Sequence, residues 1–395
     1  MRRLTYSFFT SITVLITTLL LLQNTAFAHP YGDDSKKFGS VQLSYDDTSS
    51  AEYQTLIHKL DSFYKVQVAY GFNGSVLIGY QGKILYERYF GYADKKLKTK
   101  LTPNSASQLA STTKTFTATA ILFLHQHKYL DINKKVNYYL PTFPYDNITV
   151  KMLLNHRAGL NDYIKWVPRY KKNLLEPLSN EDIVTLFAKY KPSLYFKPGT
   201  RFKYSNSNYA VLSRIIEEVT EMTYKDFMQQ YIFKPLGMES TFVYDPKWGL
   251  PRNATMSYRA NWTPYKDMFA DGVTGDKGIY STVRDMYLWD QSFYDSTLLN
   301  NETIELAYGP CSFETPGIKN YGLGWRMLCY PDGDKIIFHN GWWHGNNTVF
   351  HRNIKDNFTV IVLGNKYNSR IYHQVDHIYS IITNSPLSTE FEGEE

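Results

Sequence analysis

"LASTTKTFTATAILFLHQHKYL", residues 109–130, sets Ser111 three positions before Lys114 at the head of a long apolar run. Residues three apart share a helix face, so the Lys114 amine can lie beside the Ser111 hydroxyl. A lysine shielded from water gives up its proton readily and can then activate a serine. Spacing alone is a weak signal, because Ser62-Phe63-Tyr64-Lys65 repeats it, and roughly one or two such matches arise by chance in a chain this long. Context separates the two copies. Around Ser62, the apolar Tyr53, Leu56, Ile57, Leu60 and Phe63 recur at helical spacing and predict an amphipathic surface helix over 52–66. Ser111 follows a polar loop and opens an apolar helix where a strand-rich segment passes into a helix-rich one. Clefts between lobes are where sites form.

Two β-rich runs in "GSVLIGYQGKILYERYFGYA" meet at Gln81-Gly82 and read as a hairpin. From about 106 to 264 the patterns are helical and interrupted by Pro and Gly. After Gly322, strand patterns return in "YGLGWRML", "KIIFHN", "NTVFHR" and "FTVIVLG", before a last helix over about 369–383. Strands at both ends and helices between them predict an α+β chain. An antiparallel sheet is assembled from about 51–105 and 265–384, with a helical lobe, 106–264, inserted. Residues 29–50 read as a loose lead-in and 385–395 as an acidic tail.

The opening "MRRLTYSFFTSITVLITTLLLLQNTAFAHP" has paired arginines, an apolar stretch and Ala26-Phe27-Ala28, the layout of an export signal cleaved after Ala28. A periplasmic or secreted protein is expected. The alternative is an uncleaved anchor, since Tyr6 to Leu22 is nearly long enough to span a bilayer. Cleavage leaves 41 basic against 37 acidic residues, a formal +4, too mild and too scattered for a nucleic-acid footprint. The 34 tyrosines fit a sugar-binding surface or a compositional bias equally well. Cys311 and Cys329 in an exported chain read as one disulfide, with two unpaired cysteines as the alternative. No cofactor or metal is expected: there is no His-Glu-x-x-His, and on a strand His339 and His344 fall on opposite faces by parity. No serine is flanked by glycine two positions away on both sides, which excludes a nucleophile elbow.

Two further motifs join Ser111-x-x-Lys114. Tyr204-Ser205-Asn206 occupies a turn ahead of an apolar helix, and His339-Asn340-Gly341 ends a strand. A second Tyr-x-Asn, Tyr145 to Asn147, has no helix start behind it and reads as a surface turn. With these motifs, and with "FNGSVLIGYQGKILYERYFGYAD", "LLNHRAGL", "KPGTRFKYSNSNY", "FKPLGMEST", "GDKGIYSTVRDM" and "YGLGWRM" in order, the chain resembles the class C β-lactamase and D-alanyl-D-alanine peptidase family over about residues 50–384.

The resemblance implies an α/β sandwich with a five-stranded antiparallel sheet. It implies Ser111 as nucleophile, Lys114 as its proton acceptor and Tyr204 as the carrier of protons to the leaving group. Asn206 would bind the substrate amide, and the backbone N–H groups of Ser111 and Trp342 would form the oxyanion hole. His339, Asn340 and Gly341 would line the substrate strand, with Gly341 keeping its edge open. His156 reads as structural. The implied partner is a small molecule or peptide, with no nucleic acid and no membrane span after signal removal; the oligomeric state stays open. The chain departs from the family in having no Lys-Thr-Gly. Peptidase, β-lactamase, esterase and an inactive penicillin-binding sensor all stay open. Histidine in the lysine's place is charged only when protonated, near pH ~6.5. Hydrolysis of carboxylate-bearing substrates is therefore expected to lose kcat/KM relative to a neutral ester as pH rises.

Overall fold

Gln81 and Gly82 both take left-handed backbone, at φ 50° and 76°, as a two-residue type I′ hairpin requires. They turn strand β1 (Gly74–Tyr80) into β2 (Lys83–Phe90). The structure, a computed structural model, describes residues 43–46 and 49–384. The expected signal segment, most of the lead-in and the acidic tail lie outside the described residues. Part of the lead-in is held: Asp46 N donates to the Ile84 carbonyl at 3.1 Å and Ile84 N to that of Ser44 at 2.6 Å.

Six more strands come from the C-terminal segment: β3 (Lys319–Tyr321), β4 (Arg326–Cys329), β5 (Lys335–Phe338), β6 (Gly341–Trp343), β7 (Asn346–Asn353) and β8 (Phe358–Gly364). The sheet order is β2-β1-β8-β7-β5-β4-β3, and β6 also pairs with β7. All its pairings are antiparallel. The two chain ends meet where β1 lies on β8, Gly74 opposite Gly364 and Tyr80 opposite Phe358. The sheet has eight strands among the described residues rather than five. The "YGLGWRML" run breaks at Gly324, φ 90°, into β3 and β4, and the chain after β5 bends off as the short β6.

Alternation along the strands loads both faces. Val76, Ile78, Val360 and Val362 pack with Leu60 and Tyr64 of the helix Ala51–Ala69 and Ile378 of the helix Gln374–Thr383. The intervening Leu77, Ile361 and Leu363 face the larger core, which holds the helix Thr113–Gln126. Successive strand side chains point to opposite faces, so a two-sided apolar strand belongs in the middle layer. Each such buried Leu, Ile or Val contributes about 1.5–3 kcal/mol. In the helix Thr113–Gln126, every residue from Thr113 to Leu124 is buried. Two of its buried threonines bond to carbonyls, Thr115 Oγ1 to that of Thr112 and Thr117 Oγ1 to that of Gly275. Ser62 and Lys65, by contrast, are exposed on their surface helix. Among the described residues no helix is long and apolar enough to cross a membrane.

The expected disulfide is absent, and both cysteines are free. Cys311 N donates to the Tyr321 carbonyl and Cys329 N to that of Ile318, so the two flank opposite edges of the β3 segment. Two strand spacings amount to about 10 Å, beyond the ~7 Å that a disulfide can span between Cα atoms.

Candidate active site

The turn that carries Ser111 is bent before the helix begins. Ala110, a non-glycine residue, sits at φ 49°, a strained conformation of the kind that clusters at active sites. A 3-10 turn, Ala110–Thr112, then feeds the helix Thr113–Gln126. Lys114 is fully buried and Ser111 is 9% exposed. Lys114 Nζ lies 3.2 Å from Ser111 Oγ, 2.8 Å from Asn206 Oδ1 and 2.8 Å from the Asp276 carbonyl. An ammonium uses all three donors there. A neutral amine keeps two protons on the two carbonyl oxygens and turns its lone pair to Ser111 Oγ, so the cradle suits both states of a proton acceptor.

Tyr204 lies in the turn that enters the helix Asn206–Thr220. Two cations face its ring: Lys114 Nζ at 4.9 Å and Arg326 Cζ at 5.3 Å from the centroid. Asn206 donates to Asp162 Oδ2 through both its backbone N and its Nδ2, each at 2.9 Å. With Oδ1 on Lys114, one side-chain N–H remains for a substrate carbonyl. Asn206 therefore holds the lysine from one side while Asp162 holds Asn206 from the other. Asp162, which sequence reasoning missed, also caps the helix Tyr163–Tyr170 through Ile164 N. An N-cap signature was its only signal in the sequence. The alternative Tyr145 is no surface residue: its ring is buried in the helical core and its hydroxyl donates to the Pro192 carbonyl.

Strand β6 passes against the Ser111 turn. A Cβ built on Gly341 would stand 2.3 Å from the Leu109 carbonyl oxygen and 3.1 Å from Ser111 N. Glycine is needed there for close approach to the turn. Thr112 Oγ1 donates to the His339 carbonyl at 3.0 Å, and Tyr372 hydroxyl to that of Gly341 at 2.9 Å. Trp342, by contrast, is 46% exposed.

His339 and Asn340 are buried, contrary to the expectation that they line a substrate surface. His339 Nδ1 lies 2.7 Å from the Asn340 carbonyl and Nε2 3.3 Å from the Tyr321 hydroxyl. Burial, reinforced by Arg326 and Lys114, holds this imidazole well below its usual range. The charge expected to come and go with pH is therefore not offered here. Arg326 carries a permanent one, and its buried Nε finds no acceptor among the described residues. It stands in the "YGLGWRM" phrase, yet only packing shows that its side chain turns toward Tyr204. His344 pairs with Asp271 at 3.0 Å. Among the described residues no three His, Cys, Asp or Glu side chains gather as a metal site.

A family model described as Beta-lactamase matches residues 61–380. Penicillin-binding protein 4* of Bacillus subtilis (strain 168) is 33% identical over 318 residues, covering 77% of this chain and 70% of that protein. A penicillin binding protein from Bacillus halodurans superposes with TM-score 0.70 at 21% identity, over 81% of this chain and 97% of that one. The D-amino acid amidase of Ochrobactrum anthropi SV3, solved with L-phenylalanine amide, gives 0.69 at 23%, over 84% and 99%. At these identities the two structures speak to the fold, which is β-lactamase/transpeptidase-like.

Proposed function

We propose, since this chain belongs to the β-lactamase family of serine hydrolases, that it works through an acyl-enzyme on Ser111. The observation that carries this is the Lys114 cradle, in which two carbonyl acceptors occupy the amine and leave its third direction to Ser111 Oγ. Lys114 takes the serine proton as Oγ bonds to the substrate carbonyl carbon. The amides of Ser111 and Trp342 receive the oxyanion. Tyr204 gives a proton to the leaving group as the carbon–heteroatom bond breaks, and is reprotonated from Lys114. Water then releases the acyl group by the reverse path.

The substrate class best supported is a D-alanyl-D-alanine-type peptide. The similarity to penicillin-binding proteins supports it, and so does Arg326, a permanent cation beside Tyr204 suited to a terminal carboxylate. Esterase action is the second reading, favoured by the exposed Trp342 ring next to the nucleophile turn. The export signal read in residues 1–28 would put the enzyme outside the cytoplasm, where such peptides occur. Intact mass spectrometry after a fluorescent penicillin and a fluorophosphonate tests the proposal. Ser111→Ala should abolish the adduct and Ser62→Ala should keep it. An adduct persisting on Ser111→Ala refutes the nucleophile.

A further inference from the structure

We infer that His156 is a positioning residue for Tyr204, acting through a chain of two imidazoles with fixed tautomers; this rests on the reading of Tyr204 as the proton carrier. His156 is fully buried and sits at φ 57°, a left-handed conformation that non-glycine residues rarely adopt. The turn lets one residue grip the Tyr204 loop on both sides. Its carbonyl accepts from Lys203 N at 3.0 Å, and its Nδ1 accepts from Ser205 N at 3.3 Å. Asn208 Nδ2 lies 2.8 Å from the same Nδ1. The imidazole also covers the Tyr204 ring, with centroids 4.3 Å apart.

These contacts dictate where the protons are. Two N–H groups point at His156 Nδ1, so that nitrogen carries no hydrogen, and in the neutral ring Nε2 must. Nε2 faces the Tyr321 hydroxyl at 3.2 Å. At the far end, the Asn340 carbonyl 2.7 Å from His339 Nδ1 can only accept, so His339 is protonated on Nδ1. Its Nε2 then accepts from Tyr321 at 3.3 Å. Tyr321 thus accepts from His156 and donates to His339. Tyr209, packed on His156, sends its own hydroxyl proton to the Leu154 carbonyl. Burial, with Lys114 and Arg326 nearby, keeps both imidazoles neutral. The chain joins the Tyr204 loop to Asn340, the residue before the strand that adjoins Ser111.

Two esters with one acyl group separate positioning from simple packing. The phenolate of p-nitrophenyl butyrate leaves without a proton, whereas the ethoxide of ethyl butyrate needs one. His156→Gly keeps the left-handed backbone and deletes the ring. His156→Asn tolerates the same backbone and returns an acceptor near Nδ1. Tyr204→Phe and His156→Gly should both lower kcat/KM, which reports acylation alone, for ethyl butyrate by about 10²-fold relative to p-nitrophenyl butyrate. His156→Asn should recover most of the loss. If Tyr204→Phe discriminates between the esters but His156→Gly slows both alike, the positioning role is overturned. If Tyr204→Phe does not discriminate, the proton-carrier reading itself fails. Should the glycine variant not fold, ¹⁵N spectra of the wild type decide: Nε2–H at His156 and Nδ1–H at His339 are expected, and the opposite tautomer at either ring refutes the chain.

Discussion

Replacing Gly341 by alanine places a methyl carbon 2.3 Å from the Leu109 carbonyl oxygen, 3.1 Å from Ala110 Cβ and 3.1 Å from Ser111 N. All three atoms belong to the Ser111 turn, and two of them are backbone, so no side-chain rotation relieves the contact. On its other side β6 is fixed by its pairing to Thr348 and by the Tyr372 hydroxyl on the Gly341 carbonyl. Strand and turn must therefore part by about 1 Å to reach ordinary van der Waals distance, and a shift of that size costs about 10²-fold in rate. The shift separates the two proposed oxyanion donors, and losing one such donor costs about 10²–10³-fold. Overpacking of this kind removes about 1–3 kcal/mol from a stability of about 5–15 kcal/mol, so Gly341→Ala should still fold. Steady-state kcat/KM on p-nitrophenyl butyrate, with thermal melting in parallel, measures both effects. A folded Gly341→Ala that acylates at the wild-type rate would refute the idea that this strand sets the oxyanion geometry.

Two further outcomes follow from the charges. His156 and His339 are held well below the ordinary imidazole range by burial, and His351 is pushed down to about 3 by the same cause. The unfolded chain takes up protons near pH ~6.5 that the folded chain refuses. Stability is therefore fully present above that pH and falls below it, by up to about 4 kcal/mol per pH unit for three such histidines. Urea midpoints that stay flat from pH 7 to 5 would contradict this. Arg326→Gln should lower kcat/KM for D-alanyl peptides with a free carboxylate about 10-fold or more relative to a neutral ester, since a charged hydrogen bond contributes about 1.5–3 kcal/mol. Because guanidinium does not titrate, the wild-type ratio of acid to ester substrates should stay level from about pH 5.5 to 8. A ratio that declines over that range would restore His339 as the charged group.

What residues 43–384 encode locally was readable from the chain alone. The helical period places Lys114 one turn from Ser111, apolar spacing sends Ser62 and Lys65 to a surface, and Gln81-Gly82 marks the hairpin that starts the sheet. The strand patterns at both chain ends, joined by short turns, likewise announce an antiparallel sheet. These signals depend on neighbours within about one turn or one strand, which is the range over which backbone geometry relates sequence to space. Only the tertiary structure could bring the Asp276 carbonyl and Asn206 onto Lys114, or Asp162 onto Asn206. It alone put a strand between Cys311 and Cys329, closed His339 away from solvent and turned Arg326 toward Tyr204. Each of these depends on which distant segment packs against a polar side chain, because burial and partner together set whether that group is charged, neutral or merely holding another in place.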